Sequence, residues 1–411
     1  MNPWPVVIAD LRALRWVAWA TPLVVAIAVA VGIAISAQET ALRHASTHAA
    51  DDFDLLIGAP GSHTQLALTT IYLQPDAIPL IDGAILNALA GDERVAAAAP
   101  IAFGDSVRGY PLVGTTVAFA GRWGRLAPSE GRLFAREGEA VVGADVRLKL
   151  GEAIVPSHGV AASRARAGTG NEGEEAQHRH EGVTYTVVGR LPRLGSPWDQ
   201  AILIPIESVW ETHGFGNGHA SDKAALGPPF DGPKVPGVPA IVVKPRTVAD
   251  AYALRSQYRQ KGTVAFFPAE VLIGLYRALG DVRDVLVVGT VLNDLLIFAT
   301  TTMLLLALAG LRRKRYAVLR ALGASRSYIL LSVWLGGAFL LGIGCLGGLV
   351  LGGLAAWGVG RLVEQRTGLA LPLELGPTEW LGVLGLIVVG SLLALLPALA
   401  SFRRPVGDTL R

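Results

Sequence analysis

Six basic residues, Arg312, Arg313, Lys314, Arg315, Arg320 and Arg326, fall in one run from 312 to 326 that contains no acid. Cations grouped this way do no bond chemistry. They hold a loop on the cytoplasmic side of a membrane or dock on a partner. Val318, Leu319, Ala321 and Leu322 add an apolar stripe, so the run predicts a short amphipathic helix lying against something. Gly323 suits the C-cap of that helix, and Ser325 suits the N-cap of the next one. The candidate docking residues are Arg312, Arg313, Lys314, Arg315, Leu319, Arg320, Leu322 and Gly323.

A second chemistry is metal ligation. All eight histidines lie between His44 and His219. His178 and His180 stand among Glu174, Glu175 and Glu181, and His158 lies near the start of the same stretch. Imidazole and carboxylate suit zinc or copper, so His158, His178 and His180 are candidate metal ligands. A solvated loop that contains histidines gives the same pattern, and both readings stay open. Asp294 falls inside an apolar run, where a carboxylate is either a functional group or an interfacial one. Gly168-Thr-Gly170-Asn-Glu-Gly173 matches a dinucleotide-binding spacing, but no apolar strand precedes it, so it is a decoy. The chain has no Gly-rich loop ending in Lys-Ser/Thr, no His-Glu-x-x-His and no Gly-x-Ser-x-Gly. A non-catalytic subunit is expected, with ATP and magnesium chemistry left to a partner. Cys345 is the one cysteine, so neither an internal disulfide nor a thiolate zinc site can form.

The elements that position these residues follow from composition. The chain has 411 residues, 51% hydrophobic and 17% charged. Soluble domains carry about 25% charged residues. The apolar excess is concentrated in four blocks that predict transmembrane helices: Trp16 to Gln38, about Val285 to Leu311, Ser327 to Gly360, and Trp380 to Phe402. Arg12 and Arg15 precede the first block, the six cations lie between the second and third, and Arg403 and Arg404 follow the fourth. This places both termini and the basic loop in the cytoplasm. The first block is longer than a signal-peptide core, so an uncleaved span is expected. The basic cluster is short and flanked by spans, which excludes a nucleic-acid role. Gly344, Gly348, Gly352, Ala356 and Gly360 recur at spacing four in the third block. They form one close-approach face, for packing within the chain or for a dimer seam. Pro397 kinks or ends the fourth block.

The fold class is therefore a four-helix membrane protein with a mixed α/β domain inserted between helices one and two. Its boundaries are 1–38, 39–284 and 285–411, with the amphipathic helix at about 312–325. Short β-type runs at 54–58, 140–143, 183–189, 201–205 and 240–244 are bounded by Gly or Pro. Helical patterns cover 81–89, 247–260 and 268–279. Stretches 157–181 and 213–239 read as loops.

The run Arg312-Arg-Lys-Arg-Tyr-Ala-Val-Leu-Arg-Ala-Leu-Gly-Ala-Ser-Arg326 resembles the cytoplasmic loop of the MacB/FtsX/LolC-like ABC permeases. The stretch from Pro397 to Arg411 is similar to that family's closing segment, and the order of spans matches. The resemblance implies a permease in the bacterial inner membrane that works as a dimer, homotypic or heterotypic, with a separate cytoplasmic ABC ATPase. The helix at about 312–325 would dock that ATPase. ATP-driven closure would then move the periplasmic domain by mechanotransmission to export, release or extract a substrate. The family often has Glu where this chain has Arg315, and an apolar residue where it has Tyr316. Asp54 to Ser62, Gly104 to Tyr110, Ser157-His-Gly159 and His180 ahead of Tyr185 to Gly189 resemble a subgroup associated with metal uptake. That resemblance implies zinc involvement. Two other readings stay open: an ATPase-driven scaffold that activates a periplasmic partner, and a metal sensor without an ATPase.

Overall fold

The computed structural model of the chain describes residues 2–13, 15–158, 178–179, 183–220, 226–232, 234–259, 262–278, 313–373 and 376–395, with short pieces between 288 and 310. These residues divide into two compact units, each described here by itself. The helical unit draws on 1–43, 279–362 and 371–411; the α/β unit draws on His44–Ala278 and Val363–Ala370.

The chain opens with α1 (Trp4–Ala13) and α2 (Arg15–Ala50). The first span was expected to end at Gln38, but α2 continues through residue 50 without a break. The extension is polar yet helical, because its Ala, Leu, Arg and Glu residues favour helix and Glu39 pairs with Arg43 at 3.0 Å across one turn. Length rather than hydrophobicity makes α2 roughly 54 Å long at 1.5 Å per residue.

The α/β unit is built on one mixed sheet. In chain order its described elements are β1 (Leu55–Gly58), α3 (His63–Tyr72), α4 (Ala84–Ala90), β2 (Val95–Val107), β3 (Tyr110–Thr115), α5 (Val117–Ala120), β4 (Glu130–Gly131), β5 (Glu139–Val142), β6 (Ala153–Ile154), β7 (Ser157–His158), β8 (His178–Arg179), β9 (Tyr185–Arg190), β10 (Ile202–Pro205), α6 (Ile206–Thr212), β11 (Ala240–Pro245), α7 (Val248–Arg259), β12 (Val264–Phe266) and α8 (Pro268–Ala278). The strands run β12-β1-β11-β2-β3-β10-β5-β9-β4, with β6 on β9, β7 on β2 and β8 on β7. Pairs β3–β10 and β5–β9 are parallel, and the other named pairs are antiparallel. Strand β2 changes its main neighbour along its length, and Asp105 and Ser106 also pair with β7. Residues 95–101 pair with β11, and 102–107 pair with β3. The register shifts between Phe103 and Asp105, where Gly104 adopts φ +148°, a backbone state open to glycine.

Among the described residues, apolar clusters pack this unit. One joins Leu55, Ile57, Leu89, Trp210, Phe230 and Ile241; another joins Leu112, Val142, Tyr185, Val187 and Ile204. Charged pairs rim the sheet. Arg132 meets both oxygens of Glu139 at 2.7 and 2.5 Å and holds that carboxyl down at about 2. Glu137 behaves in the opposite way. Burial and the facing Glu211 carboxyl push it up to about 7. The signs differ accordingly. Glu139 contributes stability that is present above pH 4.5 and lost as pH falls towards 2. Glu137 contributes stability that is present below pH 4.5 and lost as pH rises through 7. Glu139→Gln is thus expected to lower the melting temperature at pH 7 and to change it little at pH 2. Glu137→Gln is expected to raise it at pH 7.5 relative to pH 4.5. Parallel pH–melting curves for the wild type and Glu137→Gln would contradict the proton-bearing carboxyl pair.

The helical unit continues with α9 (Arg313–Ala321), α10 (Arg326–Thr367) and α11 (Pro377–Leu393). Residues Trp19–Ala50 and Arg326–Thr367 form helices long and apolar enough to cross a bilayer, and Glu379–Leu393 is a shorter apolar helix. The expected second span, with Asp294, lies largely outside the described residues, as do Pro397 and the residues after it. Val25, Val29, Ile33, Leu341, Cys345 and Val383 make one buried cluster of α2, α10 and α11. Glu379 is buried in the first turn of α11, where it accepts a hydrogen bond from Ser36 Oγ at 2.7 Å.

Candidate partner-docking helix and the residues that hold it

Helix α9 ends in a closed C-terminal cap. Ala324 N–H donates to Leu319 O at 3.0 Å and Gly323 N–H to Arg320 O at 3.0 Å, with Gly323 at φ +97°. This is the paired bonding of a Schellman cap, and it requires the left-handed residue that glycine supplies. Ser325 Oγ then accepts from Tyr328 N at 3.3 Å and caps α10. Two caps within a few residues fix the angle at which the basic run leaves the long helix.

One acid holds α9 to α1. Asp10 is 6% exposed. It accepts a hydrogen bond from the buried Tyr316 hydroxyl at 3.1 Å, and Arg315 Nη1 lies 3.7 Å from its other oxygen. Arg315 and Tyr316 both meet on this carboxylate. Reading the sequence by local period missed Asp10. Its signal was that it is the one acid in the first 38 residues.

The opposite side of α9 is open. Val318 is 53% and Leu322 80% exposed, while Leu319 and Arg320 are half-buried. The backbone of Arg313 and Lys314 belongs to the helix, and Arg312 lies outside the described residues. An exposed leucine and valine beside a cationic rim can bind an apolar groove with an acidic border.

The glycine stripe of α10 faces α2. A Cβ on Gly344 would meet Val25 Cβ at 2.7 Å, one on Gly348 would meet Val29 Cβ at 2.6 Å, and one on Gly352 would meet Ala30 O at 2.8 Å. Gly360 lies against Leu371 and Gln38, and Gln38 Nε2 donates to Ala356 O at 2.6 Å. The stripe is therefore occupied within the chain.

Of the metal candidates, His180 lies outside the described residues. The backbone register sets His158 opposite His178, and Asp105 opposite His158. Among the described residues no group of three His, Cys, Asp or Glu is arranged to hold a metal ion.

Residues 288–406 match the FtsX-like permease C-terminal family. No curated protein matches the chain. Among solved structures, the periplasmic region of MacB from Actinobacillus actinomycetemcomitans aligns at 12% identity and TM-score 0.33, covering 54% of this chain and 92% of that one. The extracellular domain of the noncanonic ABC-type transporter YknZ from Gram-positive bacteria aligns at 11% identity and TM-score 0.30, covering 52% and 98%. Neither structural alignment carries weight at these scores. The 288–406 match contains α9, its C-terminal cap, the Ser325 cap of α10 and the glycine face of α10. Over those residues the chain is similar to the FtsX-like permease C-terminal family.

Proposed function

We propose that this chain is the non-catalytic permease of an inner-membrane ABC system and couples ATP hydrolysis by a separate cytoplasmic ATPase to motion of its α/β unit. In this reading four helices span the membrane, both termini face the cytoplasm, and the α/β unit lies in the periplasm. A second copy or a close relative completes the dimer. Helix α9 is the coupling helix. The observation that carries the reading is that the FtsX-like match includes a helix capped at its C-terminal end, held by Asp10 on one side and exposing Val318 and Leu322 on the other. Cargo leaves from, or a partner is activated at, the outer unit, and no path through the helices is required.

A photo-crosslinking residue placed at 322 in the full chain tests the docking. Illumination in cells is expected to link it to a protein with a Gly-rich nucleotide loop ending in Lys-Ser/Thr. The same probe at Leu381 of α11, 65% exposed, is expected not to. Equal yields at the two positions, or none at 322, would contradict the reading.

A further inference from the structure

The ends of both long helices are built into the α/β unit, and they meet on one short segment. Residues 44–50 of α2 and 363–367 of α10 belong to that unit. From α2, His48 Nε2 lies 3.1 Å from Leu194 O, and Phe53 just beyond packs its ring 5.8 Å from that of Trp198. From α10, Glu364 accepts from Arg193 Nη1 at 2.9 Å, and its backbone carbonyl accepts from Gln200 Nε2 at 3.4 Å. Just past α10, Gly368 at φ +73° passes so close that a Cβ would lie 3.1 Å from Pro197 Cα, and Ala370 N–H donates to Gly195 O at 3.2 Å.

The segment these helices share is stiff. Buried Asp199 accepts from Leu194 N and Gly195 N, both at 2.7 Å, and so closes the turn from inside. Trp198 is buried and donates its indole N–H to Ile71 O at 3.0 Å. Asp145 N–H donates to Asp199 O at 2.8 Å, and the second nitrogen of Arg193 grips the Asp145 carboxylate. The chain then runs directly into β10, which lies inside the sheet between β3 and β5. A rigid turn that receives two helix ends and continues into an inner strand can carry displacement with little loss, because packed elements move as bodies rather than deform.

We propose that residues 193–200 are the joint through which movement of α2 and α10 reaches the sheet, with Arg193 the positioning residue that ties Glu364 of α10 to Asp145. The proposal rests on the permease reading above. It adds which residues transmit the motion.

The test is hydrogen exchange on the full chain with its ATPase in lipid nanodiscs, with and without ATP and orthovanadate. The variants are Arg193→Gln, Glu364→Gln, their combination, Arg193→Lys and Gly368→Ala. The wild type is expected to show a nucleotide-dependent change in exchange at 194–203. Arg193→Gln, Glu364→Gln and Gly368→Ala are each expected to bind the ATPase and hydrolyse ATP while losing that change. The double variant is expected to be no worse than either single one, and Arg193→Lys is expected to retain part of the response. If the wild type responds and all variants respond equally, the joint is overturned and the permease reading survives. If the wild type binds no ATPase, or binds it without any change in the outer unit, the transmission reading fails and takes the joint with it.

Discussion

Asp52→Ala is expected to destabilise the α/β unit by about 3–5 kcal/mol, because it leaves the buried Arg122 cation without its carboxylate. Arg122 is 3% exposed, and its Nε lies 2.9 Å from Asp52 Oδ2. Its guanidinium is stacked 4.3 Å from the Phe119 ring and 4.5 Å from the Trp198 ring. Burial pulls its pKa down to about 10, which still leaves a full cation at neutral pH. Asp52 also holds the more exposed Arg125 at 2.5 Å. Removing the carboxylate strands a charge among aromatics. Removing both charges does not, so Asp52→Asn combined with Arg122→Met is expected to recover most of the loss. Thermal unfolding of the three proteins in detergent decides between these outcomes. A loss under about 1 kcal/mol for Asp52→Ala, the value of an exposed pair, would show that Arg122 reaches water.

Gly348→Val is expected to have the second large effect. Its Cβ would fall 2.6 Å from Val29 Cβ and 2.8 Å from Ala26 O, and the second contact is backbone that cannot rotate away. The helices α2 and α10 must separate, at a cost of about 1–3 kcal/mol or more from overpacking. Gly353, one residue beyond Gly352, has nothing within 4 Å of its Cβ position. Gly353→Ala is therefore expected to be neutral or to stabilise by up to about 1 kcal/mol through helix propensity. Gly348→Val should lower the melting temperature, and Gly353→Ala should leave it unchanged or raise it. A shift of the same sign and size would mean that α10 does not present its glycine face to α2.

What the sequence makes legible here is local. The strands at 55–58, 139–142, 185–190, 202–205 and 240–245 are legible because they are short β-branched and aliphatic runs bounded by Gly or Pro. Strand β2 was missed because Val95-Ala-Ala-Ala-Ala-Pro100 has alanine where strands usually show branched residues. Its strand state comes from pairing with β11 and β3, which no local window contains. Helix α3 was missed for a related reason. Its start depends on Ser62, whose hydroxyl accepts from Gln65 N at 3.2 Å, and its apolar side faces the sheet without a strong period.

The docking helix shows the same division. Gly323 announced its C-terminal boundary and Ser325 the start of α10, because cap chemistry is written within a few residues. That Arg315 and Tyr316 converge on Asp10, 306 positions from Tyr316, is a property of the packed helices. The pairing of Arg193 with Glu364 across 171 positions is likewise set by the fold. Both pairs are charged or polar residues whose surroundings become visible only when distant segments meet.

The most direct test of the central claim is co-purification of the tagged full chain in detergent, wild type against Arg320→Glu and Leu322→Asp. The account predicts that a cytoplasmic ABC ATPase accompanies the wild type and is lost from both variants, while the melting temperature of the α/β unit is unchanged. Retention of the ATPase by both variants, or its absence from the wild type, would contradict the assignment of Arg313–Ala321 as the coupling helix.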